Sequence, residues 1–419
     1  LDVLRAGGDG RREGDQPAEH PRLADAPTLR AQRRRDRLLV RVADILRSST
    51  RAADTVARLG GDEFAIILGD LAAKEDLVQP VERLLASLSF SFPYGNMSVP
   101  VRTSLGAAVF PLDARTGVDL YRNADTALFR TKRHPETKVT YYEPALGQEL
   151  RNRDELLRRL AAGLEQGEIE IGFQAQIDLA RDRVVGLEVL ARWRHGDQVL
   201  PAKAFRAALE SYDLAPRIGL TVLAQLGTAY AAIRSATAAP LPLYLNVSIP
   251  ELENIAYLDA LVAFASRGDL APGALSLEMH EDFRGRLTPP VRAALERLEA
   301  AGVLIAYDTF AGGLSALAEH SRATIRQIKV EHAFTRDIHQ DARKRALLSG
   351  MVSTCNAIGV DLVASGIEAQ AQLDAVREIG FRYGQGYLLS QPLETEAIVR
   401  RLVDETCGPD HRMATAVRT

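Results

Sequence analysis

The sequence predicts an α/β chain, an eight-stranded (β/α) barrel over its C-terminal two-thirds preceded by a small, incomplete α+β unit. Three observations carry that expectation. From about residue 150 onward, eight β segments alternate with helical segments over roughly 250 residues. Several of those strands end in a polar residue that a core would not choose, and the ends of barrel strands converge on one face. Before residue 150, short strands and helices follow one another without that alternation.

Bulk properties exclude several classes. At 419 residues, 46% hydrophobic and 26% charged, the chain reads as an ordinary soluble globular protein with room for two or three domains. A formal net charge of -3 gives no global attraction to nucleic acid or to an acidic membrane surface. The two cysteines, Cys355 and Cys407, make no disulfide framework or zinc pattern and fit a reducing compartment. No apolar run reaches the length of a membrane span and no signal peptide is visible. The expectation is a cytoplasmic protein with no membrane segment and no nucleic-acid partner.

Residues 1–35 mix Arg, Pro, Gly and Ala without periodicity and read as a disordered or artefactual leader. A basic nucleic-acid arm has no aromatic or repetitive support there. Structure is expected from Asp36, where Leu38, Leu39, Val42, Ile45 and Leu46 fall at helical spacing. TVARL and FAIIL flank Gly60-Gly61-Asp62-Glu63 and predict a β-hairpin. A helix over about 75–88, a hairpin through VRTSLGAAVFP and a helix over DLYRNADTALFRTK complete a unit spanning 36–146. The barrel is expected over 150–405, with strands EIGFQAQI, VVGLEVLARW, LPLYLNV, ALSLEM, GVLIAYD, TIRQIKV, GVDLVAS and RYGQGYL, and 406–419 as a tail.

Asn246, Glu278, Asp308, Lys329 and Glu368 end successive strands, and Glu188 sits near the end of its own. One such residue is usually a cap. Six in successive units, mostly carboxylates, suggest a divalent-cation site, because clustered anions need a cation to offset their repulsion.

These residues bring a family into view. The segment from about 150 to 405 resembles the EAL domain, the cyclic di-GMP phosphodiesterase class, an EAL-type TIM-like barrel. Its signature stands as Glu188-Val189-Leu190, with Val for the family's Ala. The resemblance implies that Glu188, Asn246, Glu278 and Asp308 hold one Mg²⁺ or Mn²⁺, and that Lys329 and Glu368 serve catalysis. It also implies that Gln174, Leu190, Arg192 and Gln385 contact the dinucleotide, and that the barrel forms a homodimer. The match extends to Glu281 in EMHE and Gln385-Gly386-Tyr387, while in IKVE Glu331 replaces the family's Asp after the matched Lys329. The first unit resembles the GGDEF domain, the diguanylate cyclase class, through Gly60-Gly61-Asp62-Glu63-Phe64. Arg51 and Asp54 fall where that family's inhibitory Arg-x-x-Asp lies, a spacing that also arises at any charged helix end.

The departures decide the expected chemistry. The resemblance implies a two-metal hydrolysis, in which a pair of cations lowers the pKa of a shared water. Thr309 stands where the family places the second-cation Asp, Ser365 stands for a proton-handling Glu, and Ala311–Leu314 has drifted. Hydrolysis is expected to be slow or absent while binding persists. The leading reading is therefore a cyclic di-GMP receptor acting on an unidentified downstream protein. The alternatives are a weak phosphodiesterase yielding the linear dinucleotide, and a platform without ligand binding. The family's first strand, which carries a metal-binding Asp, has no recognisable counterpart before Asp36, and Pro135-Glu136-Thr137 replaces its Gly-Arg-Asn after Lys132. No cyclase activity is expected.

Overall fold

The computed structural model describes residues 2–7, 26–71, 73–94, 97–134, 136–237, 239–280, 287–310 and 325–407. The chain divides into two compact units, Leu1–Glu155 and Leu156–Thr419.

The first unit begins with a strand that the sequence hid. Strand β1 (Asp2–Gly7) pairs antiparallel with both β3 and β6, at the centre of a five-stranded sheet ordered β2-β3-β1-β6-β7. At residues 2–7 and 26–35 the structure departs from the expected disordered leader, and residues 8–25 lie outside the described residues. DVLRAG is too short to show a period of its own, and it is a strand because two neighbours satisfy its backbone on both edges. Helix α1 (Ala26–Ser49) likewise starts well before Asp36. Its first turns are rich in good helix formers, while the apolar face that buries Leu39 and Leu46 begins only at Leu38.

Strands β2 (Thr55–Gly60) and β3 (Glu63–Leu68) form the expected hairpin around Gly61-Asp62. Phe64, Ile66 and Leu68 alternate inward against Leu77, Val81 and Leu84, the last two on α2 (Val78–Leu88). The second hairpin lies earlier than expected, in β4 (Ser91–Tyr94) and β5 (Met97–Pro100). Strand β6 (Ser104–Ala108) instead joins the main sheet, beside β1 and β7 (Val139–Tyr141). Close packing explains its composition. A Cβ on Gly106 would stand 2.1 Å from the Leu128 backbone nitrogen, so only glycine lets α3 (Gly117–Arg133) lie this near the sheet.

Helix α4 (Pro144–Glu165) contains the division between the units. The second unit then alternates as the sequence predicts. Its elements are β8 (Ile169–Asp178), β9 (Arg183–His195), the short β10 (Gln198–Pro201), α5 (Arg206–Leu209), α6 (Leu214–Ser235), β11 (Leu243–Asn246), α7 (Ile249–Leu252), α8 (Ile255–Ala265) and β12 (Leu275–His280). There follow α9 (Pro289–Ala300), β13 (Leu304–Phe310), β14 (Ile325–Val330), α10 (His332–Thr335), α11 (Ala342–Ile358), β15 (Asp361–Ala364), α12 (Gln370–Ile379), β16 (Tyr383–Gly384) and α13 (Thr395–Cys407).

The sheet closes through β8, which pairs with both β9 and β16. Both of those pairings are antiparallel, whereas β9 and β11 through β16 run parallel in succession. The barrel is therefore not the uniformly parallel one that strand–helix alternation implies. The connection from β8 to β9 spans only residues 179–182, too short for a crossover helix, and so forces the strands antiparallel.

Candidate functional site

Strand ends bring the polar residues together. Register sets Gln174 opposite Glu188 across β8 and β9, and Asn246 beside Glu278 across β11 and β12. Lys329, on β14, reaches into the same space and is almost fully buried. Its Nζ lies 2.7 Å from Glu188 Oε2 and 2.6 Å from Glu278 Oε1. The Asn246 side chain donates to Glu188 Oε1 at 2.8 Å. Gln385 donates to Glu188 Oε2 at 2.6 Å and to Gln174 Oε1 at 2.9 Å, while Gln174 donates to the Ser390 carbonyl at 3.0 Å.

Charge is unevenly shared in this cluster. Burial works to raise the Glu188 carboxyl, but the Lys329 charge and the hydrogen bonds from Lys329, Asn246 and Gln385 outweigh it and hold the group at about 2. Glu278 goes the other way. Burial and the neighbouring Glu188 charge push it well above the usual carboxylate range, against the pull of Lys329. Burial disfavours charge on Lys329 too, yet Glu188, Glu278 and Asp308 together keep it protonated. Glu278 Oε1 has the Lys329 ion pair, and Oε2 has no hydrogen-bond partner among the described residues. One lysine thus compensates one carboxylate fully and a second incompletely.

Asp308, half-buried on β13, is close enough that its charge acts on Glu278 and Lys329. The predicted cation ligands thus surround a lysine. Among the described residues no three His, Cys, Asp or Glu side chains are arranged to hold a metal ion. The donors nonetheless suit a hard divalent cation: three carboxylates and an amide oxygen, with Glu278 Oε2 buried and lacking a hydrogen-bond partner.

Arg192, further along β9, is half-buried; burial lowers its pKa, and the Glu188 charge opposes that shift. Leu190 is half-buried between Glu188 and Arg192 on the inward alternation of the same strand. Glu368 departs from expectation. Strand β15 ends at Ala364, so Glu368 lies beyond it in an exposed segment, with its backbone N–H donating to Gln372 at 2.8 Å. Ser365 starts that segment, and its carbonyl accepts a hydrogen bond from Thr335 Oγ1. The Thr309 backbone continues β13. The Thr309 side chain, Glu281 and Ala311–Leu314 lie outside the described residues.

In the first unit, Glu63 Oε1 lies 3.7 Å from Lys132 Nζ, and Arg58 donates to the Gly61 carbonyl at 2.7 Å, holding the hairpin turn. Phe64 is a core residue, and Asp62 is partly exposed at the turn. Strand β1 supplies the missing first strand, but its one carboxylate, Asp2, pairs with Leu68, whereas Gly7 pairs with Glu63. That places Asp2 at the wrong end of the strand, ~16 Å along it from the hairpin turn. Arg51 and Asp54 fold together: the Arg51 N–H donates to Asp54 Oδ2 at 2.7 Å and the Gly69 N–H to Oδ1 at 3.2 Å. With Arg83 and Pro80 they line a shallow surface recess.

Two features escaped the sequence reading. Glu251, on α7, is a buried carboxylate whose hydrogen bonds come from the Ser248 N–H and hydroxyl at 2.7 and 2.5 Å. Burial raises it to about 7 against those bonds. Inside the barrel, Gln176, Tyr244 and Gln327 form a buried network. The signal for the network was present, since each lies two positions from a site residue on an inward-facing strand.

Known proteins share both domains of the chain. Residues 156–392 match the EAL domain, and residues 33–138 match the diguanylate cyclase, GGDEF domain. The chain is 27% identical over 365 residues to the bifunctional diguanylate cyclase/cyclic di-GMP phosphodiesterase MucR of Pseudomonas aeruginosa, covering 87% of this chain and 53% of the relative. It is 28% identical over 368 residues to the cyclic di-GMP phosphodiesterase NbdA of the same organism, covering 87% and 46%. The chain thus spans about half the length of these curated relatives. Among solved structures, the PaMucR phosphodiesterase in complex with c-di-GMP superposes with a TM-score of 0.52 at 26% identity, over 58% of this chain and 99% of that one. The cAMP-bound EAL enzyme Bd1971 shares the fold at a TM-score of 0.57 and 18% identity, over 75% and 92%. With the EAL match covering residues 156–392, more than half of the chain, and a second family domain before it, the chain belongs to the EAL domain family, carrying GGDEF and EAL domains in tandem.

Proposed function

We propose that this protein is a cyclic di-GMP receptor whose EAL site binds the dinucleotide and hydrolyses it slowly or not at all. One observation carries the reading. The buried polar cluster of Gln174, Glu188, Glu278, Lys329 and Gln385 is complete, while the sequence supplies Thr309 and Ser365 where hydrolysis would need carboxylates. MucR, whose phosphodiesterase domain is solved with c-di-GMP, supports the ligand class. Glu188, Asn246, Glu278 and Asp308 would hold one Mg²⁺ or Mn²⁺, which supplies Lewis-acid polarisation of a phosphate. A neutral hydroxyl at Thr309 is a poor ligand for a second hard cation. Lys329 balances the carboxylates, Gln174 and Gln385 are oriented by their mutual hydrogen bond, and Arg192 offers a charge-assisted contact to phosphate.

Calorimetric titration with cyclic di-GMP, with and without Mg²⁺ or Mn²⁺, tests the reading. Saturable binding is expected, and Arg192→Ala should weaken it by about 10- to 100-fold, the range for hydrogen bonds to charged groups. An absence of saturable binding at high micromolar ligand would sink the receptor.

The weak-phosphodiesterase reading rests on the four first-cation ligands that remain. The double variant Thr309→Asp/Ser365→Glu should therefore hydrolyse cyclic di-GMP to the linear dinucleotide faster, by on the order of 10² or more. Each single variant should do little, because groups acting as a unit are strongly non-additive. Chromatography of the products decides, and rapid hydrolysis by the unmodified protein would refute Thr309 and Ser365 as the disabling positions.

The GGDEF domain is proposed to make no cyclic di-GMP, because β1 carries no carboxylate at the hairpin end. Incubation with GTP and Mg²⁺ should leave GTP unchanged. A product that disappears in Asp62→Ala would overturn this.

A further inference from the structure

Beneath the site lies a second polar layer that none of the family motifs covers. On four strands a polar residue stands two positions from a site residue: Gln176 with Gln174 on β8, Tyr244 with Asn246 on β11, Ser276 with Glu278 on β12, and Gln327 with Lys329 on β14. A separation of two keeps the same strand face, so each lower residue points into the barrel. All four lower residues are buried.

Branched apolar side chains are the ordinary filling of such an interior. A polar layer there is costly unless its groups pair; Gln176, Gln327 and Tyr244 do, whereas the Ser276 hydroxyl has no hydrogen-bond partner among the described residues. Gln176 Nε2 donates to Gln327 Oε1 at 3.0 Å, and Gln327 Nε2 donates back to Gln176 Oε1 at 2.9 Å. Gln327 Nε2 also donates to the Tyr244 hydroxyl at 3.1 Å. Room for this arrangement comes from Gly186 on β9, where a Cβ would stand 2.8 Å from the Tyr244 ring and 3.4 Å from Gln176 Oε1. The layer thus ties β14 across the barrel to β8 and β11.

Among the described residues, strand β14 has the pairing with the most register shifts in the barrel, two against the single shift between Gln176 and Ile177 where β8 meets β9. Its register against β13 shifts twice, between Ile305 and Ala306 and between Tyr307 and Phe310. Lys329 stands two residues past Gln327 and has to place one nitrogen between two carboxylates, at 2.7 and 2.6 Å. A strand held irregularly on one side does not by itself ensure that placement. The geometry points to Gln176, Gln327 and Tyr244 as a positioning layer that fixes the height of β14 and so seats Lys329 between Glu188 and Glu278. Its consequence for ligand affinity rests on the cyclic di-GMP reading above. Its consequence for β14 does not.

The test uses the full chain with Gln176→Met/Gln327→Met, which keeps side-chain length and removes both amides. Replacing both partners of a buried hydrogen bond by apolar groups of like shape is nearly neutral for stability, whereas Gln327→Met alone strands Gln176. The double variant is expected to melt within a few degrees of the parent and above the single variant. Backbone amides of residues 325–330 should exchange with deuterium about tenfold faster in it, with exchange elsewhere unchanged. Cyclic di-GMP should bind about tenfold more weakly, as a small misplacement of an oriented group can cost that much or more. Parent-level protection of 325–330 in the folded double variant would overturn the proposal. If the unmodified protein binds no cyclic di-GMP, the receptor reading fails on that result, and the exchange of 325–330 still decides the layer. Should the double variant not fold, Tyr244→Phe removes the hydroxyl that bonds Gln327 and Arg326, both on β14, and keeps the ring. It should speed exchange of 325–330 to a smaller degree, and no change there would likewise refute the layer.

Discussion

Lys329→Met is expected to destabilise the barrel by about 3–5 kcal/mol at pH 7, the cost of leaving a buried charge without its partner. The substitution keeps the bulk of the side chain and removes only the charge that Glu188 and Glu278 share. Glu188 would then hold a negative charge in a buried site with only Asn246 and Gln385 to stabilise it. The loss should depend on pH in a definite direction. In the parent, Glu188 is depressed from 4.5 to about 2. A depressed carboxylate contributes stability that is fully present above its unfolded value and lost as pH falls through its folded one. The gap between parent and variant should therefore be widest above pH ~4.5 and narrow toward pH ~2. The chain has one tryptophan, Trp193, buried on β9. Its fluorescence during urea unfolding reports the barrel separately from the first unit. Equal urea midpoints for parent and variant at pH 7 would show that the lysine does not balance these carboxylates.

Glu251→Gln should stabilise the barrel, but only at higher pH. Its carboxyl lies in the turn after β11, packed so tightly that a Cβ on Gly219 of α6 would meet Glu251 Oε1 at 2.4 Å. Burial raises it from 4.5 to about 7, opposed only by the Ser248 hydroxyl and N–H. For a group raised in the folded state, stability is fully present below the unfolded value and declines as pH rises through the folded one. Its cost is thus absent below about pH 4.5 and complete above about pH 7, reaching ~3 kcal/mol at 1.36 kcal/mol per unit. Glutamine keeps an oxygen to accept from Ser248 and carries no charge. The variant should melt several degrees higher at pH 8 and close to the parent at pH 4.5. A stabilisation that is the same at both pH values would place its origin in packing rather than ionisation.

The barrel was legible because its strands and helices alternate with different periods, and that alternation is a property of the local sequence. The strand-end residues were legible for a related reason. Asn246, Glu278, Asp308 and Lys329 follow apolar runs that end abruptly in a polar group, and a barrel's topology gathers strand ends on one face. The hairpin at Gly60–Glu63 was equally plain, as two apolar runs about a glycine turn.

What the sequence could not decide was anything that depends on a partner distant in the chain. DVLRAG becomes a central strand only because β3 and β6 lie on both sides of it. The antiparallel setting of β8 follows from a short connection and from ring closure onto β16. Glu368 was assigned to a strand end on the strength of an apolar run, but the strand stops at Ala364, and the acid is exposed in the segment beyond. The division of charge between Glu188 and Glu278 was also beyond reach. Composition supplies two carboxylates and a lysine, but only their burial and the placement of one nitrogen decide which carboxyl is lowered and which is raised. Local periodicity thus pointed to the barrel and its polar strand ends, and the motif resemblance nominated the remaining site residues. Tertiary packing alone set their protonation, their neighbours and the polar layer beneath them, because desolvation and Coulomb energy depend on distances in space that a linear sequence does not contain.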